Sequence, residues 1–187
     1  MKPIILASTS PRRKELMPYV GWPFVVVHLE VEESLTHTQS GLQAAYDNAT
    51  LKAKAAASHY PNQWILACDT VVAFNQTLLG KPIDDHDAIA MLELLSGRTH
   101  DVISACVLIS PTQEVMQLHD LAKVEFYPLK RDEIEAYVSS KEPFGKAGAY
   151  AIQGEAIKFV KKIEGDYASI MGLPVAKLYR FFKAQLG

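Results

Sequence analysis

Apolar positions along the chain change period several times, and each change marks an element boundary. Residues 4–7 form a short apolar run that meets Ser10-Pro11, where a serine can cap a helix and a proline suits its first turn. The pattern predicts a strand handing over to a helix between Ser8 and Pro11, a helix stop at Gly21, and a second strand over 24–28. Over 42–59, alanines and other small apolar residues recur at helical spacing until Pro61 forbids continuation. Residues 65–68 and 71–74 read as two strand segments interrupted by Asp69-Thr70, with a turn at Asn75-Gln76. Asp84 or Asp85 can cap the next helix, which runs through Leu95 and ends at Gly97.

Residues 101–109 and 115–127 carry the β-branched content and partial alternation of two long strands, antiparallel across Ser110-Pro111-Thr112, and these form a second lobe. A helix from about Arg131 to Ser139, a glycine-rich loop over 145–154, a strand over 157–163 and a C-terminal helix over 174–185 complete the series. Strands alternating with helices predict a mixed α/β fold with an elongated sheet. Neither a repeat nor a Pro-, Gly- or Ser-rich linker divides the chain, so residues 1–187 are expected to form one folding unit.

Composition narrows the function classes. Apolar residues make up 49% and charged residues 21%, which disfavours disordered, collagenous and coiled-coil classes. A formal net charge of −2 provides no broad basic field for a nucleic-acid backbone, so any polyanion must be small and met locally. Cys68 and Cys106 are too few for a secreted disulfide framework and read as small core residues. The apolar run at the start stops at Ser8, too soon for a signal-peptide core, and no stretch reaches the length of a membrane span. A soluble cytoplasmic protein is the expectation.

Candidate chemistry collects at four places. Ser8-Thr9-Ser10-Pro11-Arg12-Arg13 lies where a strand meets a helix N-terminus, whose unpaired N–H groups favour an anion; its hydroxyls and two guanidinium groups would turn it into a phosphate cradle. Asp69-Thr70 follows an apolar run, so that the Asp69 carboxylate would open into the crevice at a strand end, where it can hold a divalent cation or take a proton from water. Glu32 and Glu33 are a further carboxylate source, and Lys52, Lys54 and Lys81 together would complete a cationic ring. Finally, the loop from Lys146 to Gly154 combines glycines that permit close backbone approach with Gln153, whose amide both donates and accepts as a pyrimidine imide edge requires. No histidine shows metal-ligand spacing, and neither the Gly-x-x-x-x-Gly-Lys-Ser/Thr phosphate loop nor the Gly-x-Gly-x-x-Gly fingerprint occurs.

Six segments, taken in order, resemble the Maf family: residues 6–13, Asp69-Thr70, Gly80-Lys81-Pro82, residues 95–100, residues 146–154 and Gly172-Leu173-Pro174. The resemblance spans nearly the whole chain. It implies a Maf/inosine-triphosphatase-like fold with two lobes about a central cleft, usually in a homodimer. It also implies hydrolysis of a nucleoside triphosphate to the monophosphate and pyrophosphate, with a divalent cation, Mg²⁺ or Mn²⁺. Position by position, Asp69 matches the family's proton acceptor, while Arg12, Thr70 and Gln153 match its substrate-discriminating positions. Ser8, Arg13, Glu33, Lys52 and Lys81 match its phosphate and metal neighbourhood, with Glu32 an alternative to Glu33. The paired arginines and Ala151-Ile152-Gln153-Gly154 are similar to the branch acting on dTTP and UTP. Alternatives within the resemblance are clearance of 7-methyl-GTP or ITP and a nucleotide-sensing role in cell division. Cys68 and Gly145 depart from the residues usual in the family, alanine and aspartate.

Overall fold

A computed structural model describes residues 2–31 and 40–186. Strand β1 (Ile4–Ala7) leads into helix α1 (Pro11–Leu16), with Pro11 at its first turn as the sequence predicts. Pro18 cannot donate to an α-helical ladder, and the chain tightens into a 3-10 turn over Met17–Val20 that closes at Gly21 with φ 84°. Strand β2 (Phe24–Val27) follows, then helix α2 (Gly41–His59), whose N-terminal Gln43 N–H donates to the Ser40 hydroxyl.

Strand β3 (Ile65–Phe74) is continuous through Asp69 and Thr70, which corrects the expectation of two segments with Asp69 at an end. Its polar pair is tolerated mid-strand because β5 (Thr99–Ile109) pairs with it residue by residue, setting Asp69 against Ala105 and Thr70 against Ser104. The turn at Asn75-Gln76 leads to β4 (Thr77–Leu79), and Asp84 caps α3 (Asp85–Leu95) by accepting from the Asp87 N–H. Strand β6 (Val115–Phe126) runs antiparallel to β5, and α4 spans Arg131–Ser139.

The predicted strand over 157–163 begins late. Ala156 and Phe159 are buried three residues apart, the period of a 3-10 turn, and Glu155–Phe159 adopts that turn before β7 (Val160–Glu164) joins β6. A short helix α5 (Tyr167–Ile170) and the long α6 (Val175–Leu186) end the chain.

The seven strands form one mixed sheet in the order β2-β1-β3-β5-β6-β7, with β4 on the edge of β3. Its apolar packing divides. Around the first half of β3, Ile4, Leu6, Leu66 and Leu108 pack with Leu178 and Phe182 of α6 on one face. On the other face, Ile65 and Ala67 meet Ala49, Ala53 and Ala56 of α2, whose small side chains let the helix lie close on the sheet. Around the second half, Val72, Val102 and Phe126 pack with Leu92, Leu95, Tyr137 and Phe159. The result is an α/β fold with two lobes on a shared sheet.

What positions a site is a gap. On the edge of β3 away from β5, β1 pairs only with Ile65 and Leu66, and β4 pairs only with Val72, Ala73 and Phe74. Among the described residues no strand covers the stretch between them, and Asp69 and Thr70 sit at its middle. The gap also lies beyond the C-terminal end of β1, where the order of strands reverses, the usual position of a ligand crevice in α/β sheets.

Candidate active site

A cleft of about 890 Å³ opens at this gap. Its borders come from different elements: Ser8 from the β1–α1 turn, Arg12 and Arg13 from the first turn of α1, Lys52 from α2, Asp69 and Thr70 from β3, Lys81 from beyond β4, and Gln153 from the loop before β7. The structure thus brings together every described residue that the sequence singled out, apart from Lys54. Helical geometry turns Lys54 about 200° from Lys52, onto the exposed face of α2. Glu33 and its neighbour Glu32 lie outside the described residues. Among the described lining, Arg12, Arg13, Lys52, Lys81 and Lys146 face Glu15, Glu30 and Asp69, a cationic surplus in a chain whose formal charge is −2.

Because successive side chains of a strand point to opposite faces, Asp69 and Thr70 serve the two sides of the sheet. Asp69 faces α2, in line with Ala67 and Val71. There the carboxylate of this buried residue accepts from Lys52 Nζ at 2.8 Å and from Asn48 Nδ2 at 3.2 Å. Asn48 and Lys52 are one helical turn apart, the spacing that brings two side chains to one spot. Each carboxylate oxygen has accepting capacity left for a water or a cation.

Thr70 faces the other way. Its hydroxyl is 2.9 Å from the Ser104 hydroxyl, directly opposite in register, and Ser104 donates to the Ser169 carbonyl at 2.7 Å. The Arg13 guanidinium, 8% exposed, joins three segments: Nε donates to the Gly172 carbonyl at 2.8 Å, one terminal nitrogen to Ser8 Oγ at 3.2 Å and the other to Thr70 Oγ1 at 3.0 Å. The sequence placed Arg13 in the phosphate neighbourhood; the structure makes it a strut that ties α1 and β3 to the turn before α6.

Arg12 is half-buried, and burial, followed by the adjacent Arg13 charge, lowers its pKa from the ordinary arginine value. Lys146 responds alike: burial first and then the Arg12 charge hold its ammonium below the usual lysine range. It donates to the Glu142 carbonyl and, at 3.3 Å, to the Phe144 carbonyl. The glycine-rich loop can lie this close because Gly148 has φ 68°, and a Cβ there would stand 2.9 Å from Val72 Cγ1. Phe144, Tyr150 and Ile152 give this end of the cleft an apolar wall beside Gln153.

Sequence reasoning missed Asn48, Ser104 and Lys146 as site residues. Asn48 was within reach, since it precedes Lys52 by four positions on one helix. Ser104 enters only through strand register, and nothing local to the 146–154 loop distinguishes Lys146 from a surface lysine. Cys68 and Cys106 are opposed in register and fully buried, as core residues should be.

A family model described as Maf-like protein matches residues 3–185. The chain belongs to the Maf family. Maf relatives include proteins named dTTP/UTP pyrophosphatase from Bacillus mycoides (strain KBAB4), 44% identical with 98% of this chain and 95% of the relative aligned, and from Geobacillus sp. (strain WCH70), 42% identical with 98% of each aligned. Among solved structures, a HAM1 protein from Coxiella burnetii superposes with a TM-score of 0.57 at 18% identity, over 98% of this chain and all of that one. The Staphylococcus aureus Ham1 protein gives 0.50 at 15% identity with the same coverage. These two likenesses bear on the fold of this Maf chain alone.

Proposed function

We propose that this Maf protein is a nucleoside triphosphate pyrophosphatase that converts dTTP and UTP to the monophosphate and pyrophosphate. The observation that carries the reading is the convergence of the Asp69 carboxylate with Arg12, Lys52, Lys81 and Lys146 on one cleft at the gap in the sheet. Relatives above 40% identity over nearly the full chain bear the matching name.

In this reading the triphosphate lies along the basic side of the cleft and the base meets the apolar wall and Gln153. Asp69 takes a proton from water as its oxygen bonds to the α-phosphorus, and the bond from that phosphorus to the bridging oxygen breaks with pyrophosphate leaving. The ion pair with Lys52 and the hydrogen bond from Asn48 fix the direction of the carboxylate, so the base is positioned before substrate arrives. Arg12 and Lys81 neutralise charge on the phosphates and on the departing pyrophosphate. Arg13 keeps Ser8 and Thr70 in place.

A divalent cation, Mg²⁺ or Mn²⁺, belongs to the proposal. Described residues contain no group of three or more His, Cys, Asp or Glu side chains suited to a metal, so an all-protein cage is absent among them. Asp69 with substrate phosphate oxygens is nevertheless a donor set that Mg²⁺ commonly accepts, and Glu33 would add to it. When bound, the cation supplies charge neutralisation across the phosphate oxygens. The resemblance also implies a homodimer, and the cytoplasmic location expected from the sequence belongs to the proposal as well; among the described residues no helix is long and apolar enough to cross a membrane.

A panel of dTTP, UTP, CTP, ITP and 7-methyl-GTP against Mg²⁺ and Mn²⁺, with pyrophosphate detection, tests the reading. Preferential release from dTTP or UTP is expected. Release only from a purine nucleotide would transfer the assignment to that substrate, and binding without release under every condition would leave a nucleotide sensor.

A further inference from the structure

Gln153 is exposed at the tip of its loop, and side chains there are ordinarily mobile. The residues on either side of it are not. Two positions before it, the Ala151 N–H donates to the Tyr137 hydroxyl at 3.3 Å. That hydroxyl donates to Glu142 Oε1 at 2.9 Å, and two positions after Gln153, the Glu155 N–H donates to Glu142 Oε2 at 3.1 Å. Between these anchors the Gly154 N–H closes the turn onto the Ala151 carbonyl at 3.0 Å. A chain of four groups, amide to phenol to carboxylate to amide, therefore spans the base of the turn that presents Gln153.

Other features fit a built device. Tyr137 is fully buried and packs edge-on to Phe159 with ring centroids 5.3 Å apart, so its hydroxyl is carried on a fixed ring. Burial, followed by the hydrogen bond to Glu142, pushes the phenol pKa far up, so it keeps the proton it donates. Gly154 lies flat against the carboxylate, where a Cβ would stand 2.2 Å from Glu142 Oε1. Neither Tyr137 nor Glu142 lines the cleft.

We propose that Tyr137 and Glu142 are positioning residues for nucleobase selection, clamping the 151–155 turn so that Gln153 presents its amide to the pyrimidine edge in one orientation. This rests on the pyrophosphatase reading above and extends it to how the base is chosen. A clamped amide discriminates because a mismatched base edge leaves it unpaired; a loose one turns to suit either edge.

UTP and CTP share ribose and triphosphate and differ only at that edge, so the ratio of their kcat/KM values isolates the effect. In Gln153→Ala the UTP preference should fall about tenfold, the order expected for one lost net hydrogen bond to substrate. Tyr137→Phe keeps the ring and its packing but breaks the chain at its centre. It should lose a similar part of the preference through a raised KM for UTP, with kcat nearly unchanged. Glu142→Gln retains one of the two acceptors and should fall between Tyr137→Phe and wild type. In the Gln153→Ala background, Tyr137→Phe should cause no further loss of preference, because the two act through one group.

If Gln153→Ala loses the preference and Tyr137→Phe keeps it, the clamp is refuted while the site reading stands. Equal losses for UTP and CTP in Tyr137→Phe, or additive losses in the double variant, would reduce the pair to a general structural role and also refute it. Should Gln153→Ala leave the preference intact, or the wild type hydrolyse neither nucleotide, the reading of the site fails and the clamp with it.

Discussion

Arg13→Lys separates the two roles open to that residue. The substitution keeps the charge, so a residue acting as a point cation for phosphate would be largely preserved. A strut would not survive it, because lysine has no planar fork to serve three acceptors lying in different directions. Arg13 donates to the Gly172 carbonyl, Ser8 Oγ and Thr70 Oγ1, and is 8% exposed. An ammonium can replace about one of these bonds. Hydrogen bonds to charged groups contribute roughly 1.5–3 kcal/mol each, so losing two costs about 3–6 kcal/mol. Water admitted by the shorter head group offsets part, which leaves about 3 kcal/mol, a large share of the roughly 5–15 kcal/mol that holds a domain folded. For a chain of this size each kcal/mol moves Tm by about 2–4 °C, so the drop should be about 6–12 °C by calorimetry, with a matching fall in urea midpoint. Arg12→Lys is the internal control: Arg12 is half-buried, so the change should move Tm by only about 2–4 °C, about 1 kcal/mol, and should act on kcat/KM instead. Arg13→Lys melting within about 2 °C of wild type would refute the strut.

Asp69→Asn retains size and Asn48 contact but removes the basic carboxylate; pyrophosphate release should fall about 10²-fold or more, and near-normal turnover would rule out the role. His100 is 2% exposed and burial lowers its pKa to about 4, against about 6.5 when unfolded. The folded state then binds fewer protons between those values, so its contribution is intact above about pH 6.5 and is lost as pH falls toward 4, by about 3 kcal/mol. Urea unfolding at several pH values should show that slope, and His100→Gln should flatten it. Gly148→Ala would put a Cβ 2.9 Å from Val72 Cγ1 at φ 68°, and should cost about 1–3 kcal/mol by the same measurement. An unchanged midpoint would mean that the loop shifts freely.

The order of strands and helices was legible in the sequence because it rests on short-range physics. The proline and glycine that bound α1 and its 3-10 continuation, the alanine stripe of α2, the cap at Asp84 and the span of α4 each depend on neighbours a few positions away. Membership of one cleft for Ser8, Arg12, Arg13, Lys52, Asp69, Thr70, Lys81 and Gln153 was likewise anticipated, through motif order and not through geometry.

Only the tertiary structure could decide how those residues work. Asp69 and Thr70 looked like the end of a strand, because a polar pair interrupts local alternation; pairing with β5, thirty-odd positions away, carries the strand through them. Their division between the two faces, the gap between β1 and β4, and the Ser104 partner are matters of strand register. Arg13 became a strut because Gly172, 159 positions distant, brings a carbonyl to its Nε. Local sequence encodes the preference of each segment for its own conformation. Which side chains meet across the sheet is settled by packing and pairing between segments, where long-range contacts outweigh what any short stretch can specify.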